Sequence, residues 1–251
     1  MAPYARLEVL LTVLLGGAVT AATAWVAPPW AILPAIVTLA LLSFYRDPTR
    51  QPPQGAALVL AAADGKVVEV TRGAAAPDGA RCVRIMVFLS VFNVHVNRSP
   101  CAGRVCEAQY KPGEFLNALR PDADQRNESH TLVIDPAAPL PGPIRVRQIA
   151  GVLARRIVCA ARVGDELAAG QRFGMIKLGS RTEVCLPEHA DWEIAVRVGQ
   201  HVKGGETVLA RLRPEREGVL SGVQVSDRLE TGAHATPEDG SDKGPGNRKR
   251  P

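Results

Sequence analysis

Closely spaced cysteine pairs are missing from this chain of 251 residues. Its five cysteines (Cys82, Cys101, Cys106, Cys159 and Cys185) contain no CxxC spacing, and an odd number leaves one unpaired under any disulfide scheme. A zinc ribbon, a thioredoxin-type pair and a closed disulfide framework are therefore unsupported, and free thiols in a reducing compartment are expected. Cys185 reads as a small core residue on a strand rather than a nucleophile. Aromatic residues are scarce, at 4 %. The formal net charge of +5 is spread along the chain, with no basic block. The basic stripe and the stacking platform of a nucleic-acid binder are both absent, so no nucleic-acid partner is expected. A positive sign is compatible with an anionic membrane surface but does not establish one.

What is present divides the chain into three parts. Residues 7–26, "LEVLLTVLLGGAVTAATAWV", are apolar apart from Glu8 and a few threonines, the length a membrane-crossing helix needs. After Pro28-Pro29 comes a shorter apolar run, "WAILPAIVTLALLSF", with Arg6 before the pair of runs and Arg46 and Arg50 after it. A hairpin over residues 1–50 with both ends cytoplasmic satisfies the positive-inside rule. Trp25 and Trp30 suit a membrane interface, and Trp192 a core. Residues 51–213 read as a β-rich domain: "AALVLAAADGKVVEV" gives strand, Asp-Gly turn and strand, and "RCVRIMVFLS" and "TLVIDP" add strands. "GEFLNALR", residues 113–120, predicts a short helix. Residues 214–251 are polar and rich in Gly and Pro, the composition of a disordered tail.

An internal repeat organises the middle part. "RVGDELAAGQRFGMI" at 162–176 matches "RVGQHVKGGETVLARL" at 197–212, placing Gly164 over Gly199 and Gly170 over Gly205. Each copy reads as strand, turn, short strand, turn, strand. This predicts a mainly β fold, a pseudo-symmetric sandwich or barrel resembling biotinyl and lipoyl carrier domains, behind an N-terminal helical hairpin. The connection between the copies holds "MIKLGSR", with Lys177 and the pair Gly179-Ser180.

A Gly-Ser pair is most often only a turn. Under strain it can do more, because the Ser180 hydroxyl is placed to attack the Gly179 carbonyl carbon, and glycine leaves that carbonyl open. Such an N-to-O acyl shift needs a base and donors for the oxyanion. Elimination of the ester leaves dehydroalanine, which hydrolyses to a pyruvoyl group, an electron sink that forms Schiff bases with amines. Candidate partners lie upstream. His95 sits in "FLSVFNVHVNRSPCAGRV", where alternation turns it the same way as Asn93 and Asn97, and Asp64 sits in "ADGKVVEV". An Asp that orients a His that activates a Ser is recognised by roles rather than by order.

Taken together, "ADGKV", "FLSVFNVHVNRSPCAGRV", "GEFLNA", "NES", "IAGVLARRIVC", "GDELAAGQRFGMIKLGSRTEVCLP" and "VGQHVKGGETVLA" resemble the short form of the phosphatidylserine decarboxylases, in one order from about residue 44 to 213. The two apolar runs before "FYRDPTR" resemble that form's membrane-anchoring start. The resemblance implies self-cleavage between Gly179 and Ser180, into a β chain 1–179 and an α chain 180–251 that stay together as a heterodimer, with higher assemblies left open. Ser180 then becomes the pyruvoyl cofactor, no metal is needed, and phosphatidylserine in the membrane is decarboxylated on the cytoplasmic side. Asp64 matches the acid of the family's cleavage triad and His95 a functional histidine. Longer members carry a second histidine three residues on, where this chain has Arg98, which leaves His95 to self-cleavage, proton transfer or both. Arg98 and Lys177 are candidates to meet the lipid phosphate. A pyruvoyl decarboxylase of an ether lipid, or a membrane-tethered carrier domain modified at Lys177, are the alternatives.

Overall fold

A computed structural model describes residues 1–76, 79–118, 120, 122–152, 156–177 and 179–213. The expected tail, 214–251, lies outside the described residues.

The apolar runs fold as two helices, α1 (Arg6–Val26) and α2 (Ile32–Phe44). Pro28 and Pro29 end the first by removing backbone donors, while Pro34 falls in the first turn of α2, where a missing N–H costs little. The helices touch where a side chain is lacking. A Cβ on Gly16 would stand 2.3 Å from the Thr38 hydroxyl, so glycine allows close helix approach. The two ends of the hairpin meet, the Ala2 N–H donating to the Tyr45 carbonyl at 2.8 Å. Residues 3–26 are long and apolar enough to cross a membrane; the 17 residues 28–44 are shorter. Most of their leucines and valines are exposed, as are Trp25 and Trp30 at the tip.

The β domain follows in chain order as β1 (Leu58–Leu60), β2 (Gly65–Ala75), β3 (Arg81–Leu89), β4 (Val96–Arg98) and β5 (Gly103–Lys111). A single turn of helix, α3 (Ala123–Arg126), precedes β6 (Ser129–Pro136), β7 (Ile144–Ile149), β8 (Ile157–Cys159), β9 (Glu166–Leu167) and β10 (Arg172–Ile176). The chain then forms β11 (Ser180–Pro187), β12 (Trp192–Ile194), β13 (His201–Val202) and β14 (Val208–Leu212). Eight of these strands make one curled half-barrel sheet in the order β13-β2-β3-β11-β7-β6-β5-β9. Two three-stranded sheets, β4-β10-β8 and β1-β14-β12, close over its inner face. Alternation does the sorting: Val83, Ile85 and Val87 of β3, Val184 and Leu186 of β11 and Ile144 and Val146 of β7 point inward. There they meet Phe173, Leu209 and Trp192 from the small sheets. The mainly β fold is as the pattern predicts.

The expected helix over 113–120 is not formed by its described residues. Glu114 instead bridges to Asn127, whose side chain accepts from the Leu116 N–H at 2.9 Å and donates to the Leu116 carbonyl at 2.9 Å. These tertiary bonds hold residues 114–116 out of helix and override the segment's weak local preference for it.

The repeat is visible in the backbone. Gly164 and Gly199 have φ of +96° and +92°, and Gly170 and Gly205 of +73° and +75°. Their partners match: the Gly164 N–H donates to the Val105 carbonyl and the Gly199 N–H to that of Val67, and Gly170 and Gly205 donate to Ser99 and Ala61. The relation extends beyond the repeated sequence. The Leu60 N–H donates to Pro100 and the Arg98 N–H to Ala62, both at 2.8 Å, so 58–67 and 96–105 are also related by the pseudo-twofold.

Candidate active site

The chain leaves one small sheet at Ile176 and enters the large one at Ser180. Gly179 lies in this crossing with φ of +58°, a left-handed conformation in which a side chain is strained. No atom of the described residues lies within 4 Å of where its Cβ would be. Behind it the packing is tight: a Cβ on Gly151 would stand 1.9 Å from the Gly179 carbonyl oxygen. Glycine at 151 therefore gives that carbonyl its room. Ser180 opens β11 opposite Leu89 of β3. It is fully buried, and its hydroxyl has no hydrogen-bond partner among the described residues. A buried hydroxyl without a partner costs about 1–3 kcal/mol, which a fold retains only for a reason.

His95 lies just before β4, and its carbonyl accepts from the Ile176 N–H at 3.2 Å, which joins it to the strand leading into the crossing. The segment is buried on both faces, with Val94 and Val96 as well as His95 and Asn97 hidden from solvent. The alternation expected here therefore does not separate an inner from an outer side. The Nδ1 of His95 is 2.9 Å from the Asn93 carbonyl. Because a carbonyl only accepts, Nδ1 carries the proton and Nε2 the free lone pair. Nε2 is buried and has no partner among the described residues. Burial, helped by the nearby positive charge of Arg46 and opposed by the Asn93 bond, brings the imidazole from 6.5 down to about 4. It is a neutral base at neutral pH. The Phe44 ring covers it at 4.3 Å between centroids, so the root of the hairpin forms a wall of this pocket.

Asp64 does not take a hydrogen bond from His95 here. One carboxylate oxygen accepts from Arg50 at 2.7 Å and the other from the Gly204 N–H at 2.8 Å. Burial nonetheless pushes its pKa above the usual carboxylate value, against the pull of those two donors. Arg98 is also buried and engaged, with Asp47 at 2.8 Å and the Pro48 and Gly170 carbonyls at 3.0 and 3.2 Å. Lys177 pairs with Glu8 of α1, and its side chain is 14 % exposed. Both cations expected at a lipid phosphate thus already have acidic partners. A carrier lysine has to be presented at an exposed tip, and Lys177 is not.

Several participants carry no signal that residue-by-residue reading separates from background. Asn93 acts through its backbone, Phe44 looks like the end of an apolar run, and Gly151 is one glycine in "IAGVLARR". Asn127 is fully buried and binds Ala150 at 2.8 Å as well as Leu116, tying the 113–118 segment to the strand end beside Gly151. A cavity of about 490 Å³ opens at Gly179, lined by Phe88, Ser90, Val91, Asn117, Ala118 and Val152. Phe92 beside it is 83 % exposed, and its carbonyl accepts from Arg46.

Comparison with known proteins agrees with this geometry. The family model for phosphatidylserine decarboxylase matches residues 37–210. A phosphatidylserine decarboxylase proenzyme of Rhodopirellula baltica is 42 % identical over 213 residues, covering 83 % of this chain and 88 % of its own. Proteins of the same description from Trichlorobacter lovleyi and Solibacter usitatus are 46 % and 44 % identical, covering 81 % and 77 % of this chain and 90 % of each relative. With its Gly-Ser crossing, its buried neutral histidine and a match of this extent, the chain belongs to the phosphatidylserine decarboxylase family of enzymes.

Proposed function

We propose that this chain is a proenzyme that cuts itself between Gly179 and Ser180, and that the two resulting chains, held together, decarboxylate phosphatidylserine to phosphatidylethanolamine. The observation that carries this reading is the Ser180 hydroxyl, buried and without a partner among the described residues, directly after a left-handed Gly179. In the first step the Nε2 of His95 takes the hydroxyl proton and Oγ attacks the Gly179 carbonyl carbon. The Gly179–Ser180 C–N bond breaks, the nitrogen receives the proton as an amine, and an ester joins Gly179 to Oγ. Loss of the Ser180 Cα proton then expels Gly179 as a carboxylate and leaves dehydroalanine. Addition of water releases ammonia and leaves a pyruvoyl group at the head of the smaller chain.

The residues around Ser180 fit that group, since its position is buried and its neighbours Gly179 and Gly151 crowd it with no side chain. Its carbonyl supplies the electron sink on which an amino-acid headgroup loses carbon dioxide. Asn93 fixes the tautomer of His95 that can accept a proton, and Phe44 keeps water from it. Asp64 acts at one remove: by holding Arg50 it secures the segment that carries Phe44 and Arg46 to His95. We assign Arg98 and Lys177 to docking the anchor rather than to the phosphate. The apolar cavity at Gly179, flanked by exposed Phe92, suits a diacyl lipid, and the apolar hairpin supports a reading in which it meets a bilayer, with the flanking Arg6, Arg46 and Arg50 favouring the cytoplasmic side.

The test is the intact mass of the purified chains. Two chains split at 179/180, the smaller blocked to N-terminal sequencing and lighter than encoded by the serine-to-pyruvoyl change, are expected, and Ser180→Ala should give one uncut, inactive chain. A single uncut wild-type chain that still decarboxylates the lipid overturns the reading.

A further inference from the structure

Arg6 and Glu8 are the only charged residues in the 21 residues of α1. An ionised side chain at the root of an apolar helix is costly unless it meets a partner. Glu8 meets Lys177, a residue 169 positions away in sequence and two before the bond to be cut. The pair is partly buried, with the Lys177 side chain 14 % and the Glu8 side chain 31 % exposed. The lysine backbone is fixed as well, its N–H donating to the Arg156 carbonyl at 3.2 Å. Around the pair, Ala2, Ala5 and Phe44 of the hairpin root pack on Val94, Val96 and Met175. The last of these lies on the strand that leads to Lys177.

We propose that Glu8 is a positioning residue for self-cleavage: through Lys177 it latches the crossing that carries Gly179 and Ser180 onto the anchor helix. The inference rests on the self-cleavage proposed above and adds to it a role for the anchor that is independent of the bilayer. A crossing held at Gly151 and β11 on one side and at Glu8 on the other keeps the Gly179 carbonyl within reach of the Ser180 hydroxyl. After scission Lys177 lies two residues from the new carboxylate of Gly179, and the same ion pair retains the end of the larger chain on the anchor.

The experiment follows scission of the full chain in detergent micelles, with no lipid, by gel and intact mass over time. Glu8→Gln and Lys177→Met are expected to slow it by about tenfold to a hundredfold, the usual effect of a misplaced reacting group. Lys177→Arg should cut at close to the wild-type rate, and the charge swap Glu8→Lys with Lys177→Glu should recover most of the loss. Thermal melting of each uncut variant separates slow scission from failure to fold. Wild-type rates in Glu8→Gln overturn the latch, as does a swap that melts like the wild type yet cuts no faster than the single variants. A Lys177→Met chain that cuts normally but shows a raised KM for the lipid would return Lys177 to the substrate and also overturn it. An uncut wild-type chain sinks the self-cleavage reading and the latch with it, whereas a cut wild type with an equally cut Glu8→Gln sinks the latch alone.

Discussion

Residues 58–67 and residues 96–105 follow the same path through the two halves of the β domain, and they differ in charge at two places. Leu60 and Arg98 occupy matching positions, as do Asp64 and Ala102. The glycines that open the following strands also match, Gly65 facing Val202 and Gly103 facing Leu167. Where one half has an apolar residue and the other a charge, the charge has a partner from the segment after α2. Asp64 holds Arg50, and Arg98 holds Asp47. A charge taken out of water must be paired, so each departure from symmetry fixes one specific neighbour. Together the two fix the strap that brings Phe44 and Arg46 to His95. The repeated part of the molecule builds the fold, and the unrepeated charges build the site.

Forcing the halves to be alike tests this division. One residue before these stretches the same offset sets His95 over Ala57, so His95→Ala removes a further asymmetry. Scission should slow by about 10²–10⁴-fold, the typical loss for a general base. His95→Gln, which keeps most of the bulk against Phe44, should lose as much if proton transfer is what matters. A rate within a few-fold of wild type for either would take the base away from His95. Asp64→Ala makes that position like Ala102 and leaves the Arg50 side chain, 8 % exposed, with Glu206 as its one carboxylate partner among the described residues. The expected cost is about 3 kcal/mol in denaturant unfolding, as for a buried pair broken on one side. Replacing Arg50 by Leu in the same chain should recover most of it. If the double variant is as unstable as the single, Asp64 does more than dock the strap.

The pH dependence sharpens the contrast between His95 and an ordinary histidine. Its folded pKa of about 4 lies below the 6.5 of the unfolded chain, so the unfolded state binds the proton more readily between those values. The stability it contributes is complete above about pH 6.5 and falls, by up to about 3 kcal/mol, as pH drops through that window. Scission should likewise hold its rate down to about pH 5, where a solvent-exposed imidazole would be mostly charged. Phe44→Ala opens the pocket and should move the fall in rate towards 6.5. An unshifted profile in that variant would mean that Phe44 does not keep the ring dry.

The fold and the site were legible in the sequence to different degrees, for a physical reason. Turn glycines and alternating strands are local, and so Gly164, Gly170, Gly199 and Gly205 announce the repeat before any contact is known. Gly179-Ser180 is equally local. The expected helix at 113–120 fails because Asn127, a residue outside the segment, supplies its hydrogen bonds. The rest of the site is made of contacts between distant residues: Asn93 acts through a carbonyl, Gly151 by having no side chain, and Arg50 and Glu8 by reaching elements that their own neighbourhoods do not indicate. Asp64 and His95 each stand out in the sequence, but nothing local says that the donors to Asp64 are Arg50 and Gly204.

The smallest expected effect is also the one in which the halves should agree. Gly164 and Gly199 both sit at positive φ, and among the described residues a Cβ at either meets open space, the nearest atom being an Arg104 nitrogen 4.0 Å from the first and nothing within 4 Å of the second. Alanine at either position therefore suffers only backbone strain, about 1 kcal/mol in each half by denaturant unfolding, with scission unchanged. Gly170 is the control, because a Cβ there would stand 2.5 Å from Pro52 of the strap and 3.2 Å from the Gly205 carbonyl. Gly170→Ala should cost more than either and, by lifting the strap, slow scission as well. Equal behaviour of all three would place the strap outside the machinery and leave the symmetry of the fold with no bearing on the site.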